Sequence, residues 1–262
     1  MRQDERVPFD RALGRARRAA YPPGEFVGQE SFMSAAEIRA LAVRAGIGPG
    51  VSVLDLCCGV AGPGRYLTGE LGCDYLGVDS SESAIAIARH RADGLPCRFE
   101  VGWVPPVPDG PFDVVLLLET MLAFADKEAL LRGIASALPV GGRFAFTVEE
   151  GEPLDEAERR AMPESDTVWL VPLPALVALL QRVGLRVEWT AEYSQAHREV
   201  ADSLIDAFAT DRATIAAEVG DDAIDDLLDA HRLWSDWLRT GRVRKFAAVA
   251  EKVGQPGSRS TT

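Results

Sequence analysis

The stretch Val53–Tyr66, VLDLCCGVAGPGRY, constrains this chain more than any other. An apolar run reaches an acid, Asp55, and then crosses small residues into a helical pattern. Glycine-rich crossings between a strand and a helix belong to parallel α/β sheets, where they bring backbone N–H groups and a helix N-terminus up to a ligand. From about Gly50 the same alternation repeats. VSVLDL, DYLGVD, CRFEV, FDVVLLL and GRFAFTVE read as strands, with GRYLTGEL, SESAIAIARHRA and DKEALLRGIASAL as helices between several of them. A hydroxyl residue in SES can cap its helix, and PVGG stops the next one. Strands alternating with helices imply right-handed crossovers and a mostly parallel sheet.

After Glu150 the texture changes. GEPLDEAERRAMPESD is polar and proline-punctuated, and reads as a loop or lid. PLPALVALLQRVGL is helical and LRVEWTAEYS is a strand. A long helical segment follows from about Gln195 to Thr240, and RVRKFAAVAEK closes the chain as a last strand. The expectation is seven strands, helices on both faces, and a helical cap inserted before the last strand. Four regions follow: an N-terminal tail and lid helix (1–45), a nucleotide-type core (46–150), the rest of the sheet with the cap (151–250), and a flexible tail (251–262).

With 262 residues, 47% of them hydrophobic, the chain suits one α/β domain. A net charge of −12 argues against nucleic acid and anionic membranes, whose binding rests on neutralising phosphates. No apolar run reaches the roughly 20 residues of a membrane helix. The arginine-rich N-terminus is interleaved with Asp4, Glu5 and Asp10 and lacks the apolar core of a secretion signal, so it reads as a solvated tail. Cys57, Cys58, Cys73 and Cys97 match no zinc spacing; they read as small core residues in a reducing cytoplasm, with no metal expected. The expected partner is a small molecule.

Asp55 narrows which one. A pyrophosphate beside a strand-ending carboxylate would meet like-charge repulsion, whereas an ammonium group would meet attraction. S-adenosyl-L-methionine, with its adenosine, cationic sulfur and aminocarboxylate, fits better than a dinucleotide. Asp79 ends the second strand about 20 residues past the glycines, where an acid accepts from ribose hydroxyls. Its alternative role is a helix N-cap.

These residues resemble a family. VLDLCCGVAGPGRYL, YLGVDSSESAIAIARHRA and PFDVVLLLETMLAFAD look like the class I S-adenosylmethionine-dependent methyltransferases, a Rossmann-like fold. More narrowly they are similar to the small-molecule branch that includes sarcosine, phosphoethanolamine and natural-product methyltransferases. The resemblance implies that Asp55 lies near the methionine ammonium, that Gly59 is the central glycine with Cys57 near it, and that Asp79 binds ribose, with Ser80 following. It places Glu119, flanked by Leu118 and Thr120, at the crevice shared by cofactor and acceptor. Cys57 and Ala61 stand where the commonest motif has glycines. An acid contacting adenine is represented only by Glu100, with Trp103 as the alternative adenine neighbour. The N-terminal stretch offers Tyr21, Gln29, Glu30 and Ser31 as acceptor-pocket residues, against a plainer role in capping (Ser31 or Ser34) and packing.

Methyl transfer is an in-line displacement that depends heavily on alignment, and it needs a base only when the acceptor is protonated. His197, after the sixth strand, is the first candidate base, with Tyr193 to orient it; Glu119 is another. His231 and Trp234 on the cap are candidate acceptor-wall residues, with Trp237, Leu227, Leu228 and Leu238 completing an apolar face that suits a homodimer as well as a pocket. The function expected is methyl transfer to O, N or C of a small metabolite. A cyclase or binding protein that keeps the cofactor intact is the alternative, and a nicotinamide-dependent oxidoreductase is less favoured.

Overall fold

The computed structural model describes residues 12–92, 94–162 and 168–254. Residues 1–11 of the expected N-terminal region and 255–262 of the expected tail 251–262 lie outside them, while 251 and 252 end the last strand. Seven strands form one sheet: β1 (Ser52–Leu56), β2 (Asp74–Asp79), β3 (Cys97–Val101), β4 (Val114–Leu117), β5 (Arg143–Glu150), β6 (Leu185–Glu192) and β7 (Arg244–Lys252). Their spatial order is β3-β2-β1-β4-β5-β7-β6. The first five run parallel, and β7 inserts antiparallel between β5 and β6.

The period of two along each strand sorts side chains into two cores. Val53, Tyr75, Phe99, Val114 and Leu116 pack on one face against Ile38, Leu41, Leu67 and Ile85. Those partners come from α2 (Ala35–Arg44), α3 (Gly62–Leu71) and α4 (Glu82–Arg91). Leu54, Leu56, Val115, Leu117 and Phe146 pack on the other face against Leu130, Ile134, Leu176 and Leu180 of α5 (Lys127–Ala137) and α7 (Leu173–Arg182). Helices therefore cover both faces, as the alternation predicts. Local chemistry sets their starts: Ser34 and Glu37 form a capping box on α2, Ser81 caps α4, and Asp126 caps α5.

Two expectations are corrected. The stretch read as a loop or lid after Glu150 contains a helix, α6 (Glu156–Ala161), because Asp155 and Glu158 cap it reciprocally; residues 163–167 lie outside the described set. Residues from 12 onward are not tail: α1 (Ala12–Ala19) buries Ala12 and Ala16 against Ala201, Leu204 and Phe208 of the cap. The cap is three helices, α8 (Ser194–Thr210), α9 (Arg212–Val219) and α10 (Asp221–Thr240). Leu228, Trp237 and Leu238 of α10 are buried within the chain, and Leu227 and Trp234 are partly buried beside them.

Candidate active site

At the carboxyl end of the sheet, where open α/β sheets bind ligands, the crossing from β1 to α3 takes a backbone path that side chains resist. Cys57 and Ala61 have φ of +58° and +54°, and Gly59 has +53°. The two positions where the commonest motif has glycine therefore keep the glycine-like conformation, at about 1–2 kcal/mol each. Gly62 begins α3 under the loop that precedes α2, and a Cβ there would sit 2.3 Å from the Gly28 carbonyl oxygen. That contact is open only to glycine, and it presses the loop onto the crossing.

Between loop and crossing lies a cavity of about 230 Å³ lined by Asp55, Cys57, Gly59, Gln29, Leu118 and Glu119, among others. Asp55 is only 3% exposed. The Tyr75 hydroxyl donates to its Oδ2 at 2.5 Å. Burial nonetheless pushes its pKa up to about 7, and the Asp79 charge adds to this. Burial raises the Cys57 thiol to about 12, which keeps it neutral. A buried carboxylate with no cation against it suits an ammonium-bearing ligand.

Asp79 acts beside the cavity rather than in its wall. It accepts from the Gly59 N–H at 2.8 Å through Oδ2 and from the Ser81 N–H at 2.9 Å through Oδ1, so it ties the crossing to the end of β2. The N-cap of α4 is Ser81, not Asp79. Ser80 and Glu100 are outside the cavity wall, and Glu100 points to solvent from β3. Trp103 is 77% exposed and lies outside the cavity wall.

A second cavity, about 330 Å³, adjoins the first through Glu30, Ser31 and Glu119, which line both. Glu119 holds this junction in a left-handed conformation, φ +56°, with its N–H donating to Thr147 Oγ1 at 2.5 Å. Strain of this kind in a non-glycine residue clusters at functional sites. Its carboxylate accepts from the buried ammonium of Lys245, which also lies 3.1 Å from Glu149. Glu149 and Lys245 are cross-strand partners on β5 and β7. Burial would push Glu119 up, but Lys245 holds it below the usual carboxylate range. Glu149 is held above that range, because burial outweighs the same lysine. Burial works against the Lys245 charge, and the two carboxylates keep its pKa raised. His231 and Trp234 of α10 line this cavity, together with Phe32 and Arg17. Burial takes the His231 pKa down to about 4, and its Nδ1 donates to the Leu227 carbonyl at 2.7 Å, leaving a neutral ring.

Of the other candidates, His197, Tyr193 and Tyr21 line neither cavity. His197 is 1% exposed, lines neither, and places Nε2 3.2 Å from Glu37, the capping residue of α2. Tyr193 stacks on His197 and packs into the core; its backbone N–H donates to the Lys245 carbonyl. The pair supports the floor of the second cavity from behind, which corrects its reading as a base and its orienter. The Tyr21 hydroxyl is committed to the Ser31 carbonyl and its ring is buried with the cap. Gln29 lines the first cavity, not the second, and its amide bonds Val27, Glu25 and Met33 to shape the loop. Glu149, Lys245, Phe32 and Arg17 escaped sequence reasoning. The one available signal was a lysine within the apolar run of β7.

Strand order, the antiparallel β7 and a cavity built on the β1 crossing define the class I S-adenosylmethionine-dependent methyltransferase fold. Residues 53–142 match the family model described as a methyltransferase domain. Phosphoethanolamine N-methyltransferase 3 of Arabidopsis thaliana is 37% identical over 103 residues, 38% of this chain and 21% of that protein. Methyltransferase GfsG of Streptomyces halstedii is 26% identical over 187 residues, 67% of each. The structure of Haemonchus contortus phosphoethanolamine N-methyltransferase 2 in complex with S-adenosyl-L-methionine superposes with a TM-score of 0.76 at 20% identity, covering 91% of this chain and 56% of that one. Alignments to the four plant phosphoethanolamine N-methyltransferases span only 20–42% of their length.

Proposed function

We propose that the protein transfers a methyl group from S-adenosyl-L-methionine to a small-molecule acceptor. The cofactor would lie in the cavity over the β1 crossing and the acceptor in the adjoining one. The observation that carries this reading is the junction at Glu119, where the two cavities share a wall. The cofactor, when bound, supplies a methyl carbon open to nucleophilic attack. Asp55 offers its carboxylate to the cofactor's ammonium, and the backbone at Gly59 allows close approach. Asp79 fixes that crossing and keeps lone pairs for ribose hydroxyls. Glu119 faces both partners, and Glu149 can take a proton from an acceptor that arrives protonated. Buried walls exclude water and align the reacting groups, an effect that reaches about 7–11 kcal/mol in well-oriented reactions. Among the described residues no helix is long and apolar enough to cross a membrane. A reducing cytoplasm suits the four unpaired cysteines.

The test is incubation with S-adenosylmethionine carrying a deuterated methyl group and a small-metabolite extract, followed by mass spectrometry. A labelled metabolite made by the protein and lost with Asp55→Asn is the expected result. Bound cofactor recovered intact, with no labelled product from any extract, would replace methyl transfer with the cyclase or binding role.

A further inference from the structure

The second cavity has an unusual floor. Lys245 sits between Glu119 and Glu149, with its ammonium 4.7 Å from the Phe32 ring centroid and 5.9 Å from that of Trp234. Even so, Glu119 Oε1 and Glu149 Oε2 are buried with no hydrogen-bond partner, while Glu149 Oε1 meets the Lys245 ammonium at 3.1 Å. Glu149 is 1% exposed. A buried carboxylate oxygen without a donor is costly, and folded proteins pair such groups or leave them for a ligand. Two vacant acceptor atoms on one floor, Glu119 Oε1 and Glu149 Oε2, call for a ligand that brings donors.

The charges lining the cavity indicate which donors. Glu30, Glu119 and Glu149 face Arg17 and Lys245, and His231 is neutral, so with all three acids ionised the lining is one cation short, and without that cation burial favours the protonated form of Glu149. An anionic ligand would find Lys245 already committed to two carboxylates, leaving Arg17, whose Nε is buried without a partner and whose guanidinium lies over the Phe208 ring, as the cation it could meet. Above the floor, the walls are Phe32, Trp234, His231, Leu122 and Val168, which suit an apolar body and, through the aromatic faces, a cation.

We propose that the second cavity binds an apolar primary or secondary amine as its ammonium ion, the N–H groups on the free oxygens of Glu119 and Glu149 and the body against Phe32, Trp234 and His231. This rests on reading the cavity as the acceptor site, and it selects against acceptors that carry a phosphate or carboxylate. The positive charge of the ligand supplies the unit of charge that the cavity lacks. It also holds Glu149 ionised until a proton must move.

The test uses isosteres that differ only in the terminal group. Protein saturated with S-adenosylhomocysteine is titrated calorimetrically with 2-phenylethylamine, 2-phenylethanol and 3-phenylpropionate, and with tryptamine, tryptophol and indole-3-propionate. Within each set the amine should bind at least about ten-fold tighter than the alcohol, with the acid weakest. Glu149→Gln should lower amine affinity about ten-fold while the alcohol is unaffected. Equal binding of alcohol and amine, tighter binding of the acid, or no binding of either amine overturns the proposal; the wild-type ranking alone decides if the variant misfolds. Failure of S-adenosylhomocysteine to bind at all would remove the methyltransferase reading itself, whereas its binding without an amine preference removes only this inference.

Discussion

Replacing Asp55 with Asn should stabilise the protein without cofactor while weakening its hold on the cofactor. The carboxyl is almost wholly buried, accepts one short bond from Tyr75, and has Asp79 as an unfavourable neighbour. Its pKa rises from an ordinary 3.8 to about 7. Folded protein therefore binds a proton that unfolded protein has already released between those values. Stability contributed at low pH is lost as pH rises from about 4 to 7. Three pK units at about 1.4 kcal/mol each set a ceiling of about 4 kcal/mol on the cost of ionised Asp55. Asparagine removes the charge and can still accept from Tyr75. Its amide N–H₂ goes unpaired in the pocket, at about 1–3 kcal/mol. The net expectation is a gain of about 1–3 kcal/mol near pH 8, shrinking to nothing or reversing near pH 5, where wild type is itself neutral.

Denaturant unfolding of both proteins at the two pH values, without cofactor, measures the difference. Calorimetric titration with S-adenosylmethionine measures the other half. Affinity should drop at least ten-fold in the variant, about 1.4 kcal/mol or more. In wild type it should rise with pH up to about 7, as Asp55 ionises to meet the ammonium. An Asn variant that is less stable at both pH values, or that binds cofactor as well as wild type, would refute the reasoning: Asp55 would then be a structural acceptor for Tyr75 and nothing more.

Ala61→Gly should raise the melting temperature, because Ala61 holds φ +54° in the turn into α3. Relief of left-handed strain, about 1–2 kcal/mol, should exceed glycine's entropic penalty of roughly 0.5–1 kcal/mol; an unchanged or lower value in a thermal scan contradicts it. His197→Ala should destabilise by about 2–4 kcal/mol through loss of buried packing and the Glu37 contact. Cofactor affinity in a titration should hold, and a selective loss of turnover at full stability would restore His197 as a base. Lys245→Met should cost about 3–5 kcal/mol in denaturant unfolding, because it strands two buried carboxylates. Part of that loss should return as pH falls and the carboxyls protonate.

Which parts of this molecule were legible depended on how local their causes are. The sheet and its helical layers follow from periods of two and about 3.6 and from caps such as Ser81, all contained in a few neighbouring residues. The same holds for Asp55 and Gly59, which share one crossing. Glu149 and Lys245 are different: 96 positions' worth of chain, including the entire cap, separates two residues that antiparallel pairing sets side by side. No periodicity in β7 states that it enters between β5 and β6, so its lysine read as an incidental charge in an apolar strand. His197 misled for the converse reason. Its place after β6 suggested the crevice, yet α8 starts at Ser194 and puts the ring inside, against the capping glutamate of α2. Position along the chain located the end of the sheet; the helix phase decided which side of the wall the imidazole occupies. The first cavity is therefore readable from one strand and its turn. The second cavity is assembled from α1, the loop before α2, β5, β7 and α10, and its charge balance exists only once those elements meet.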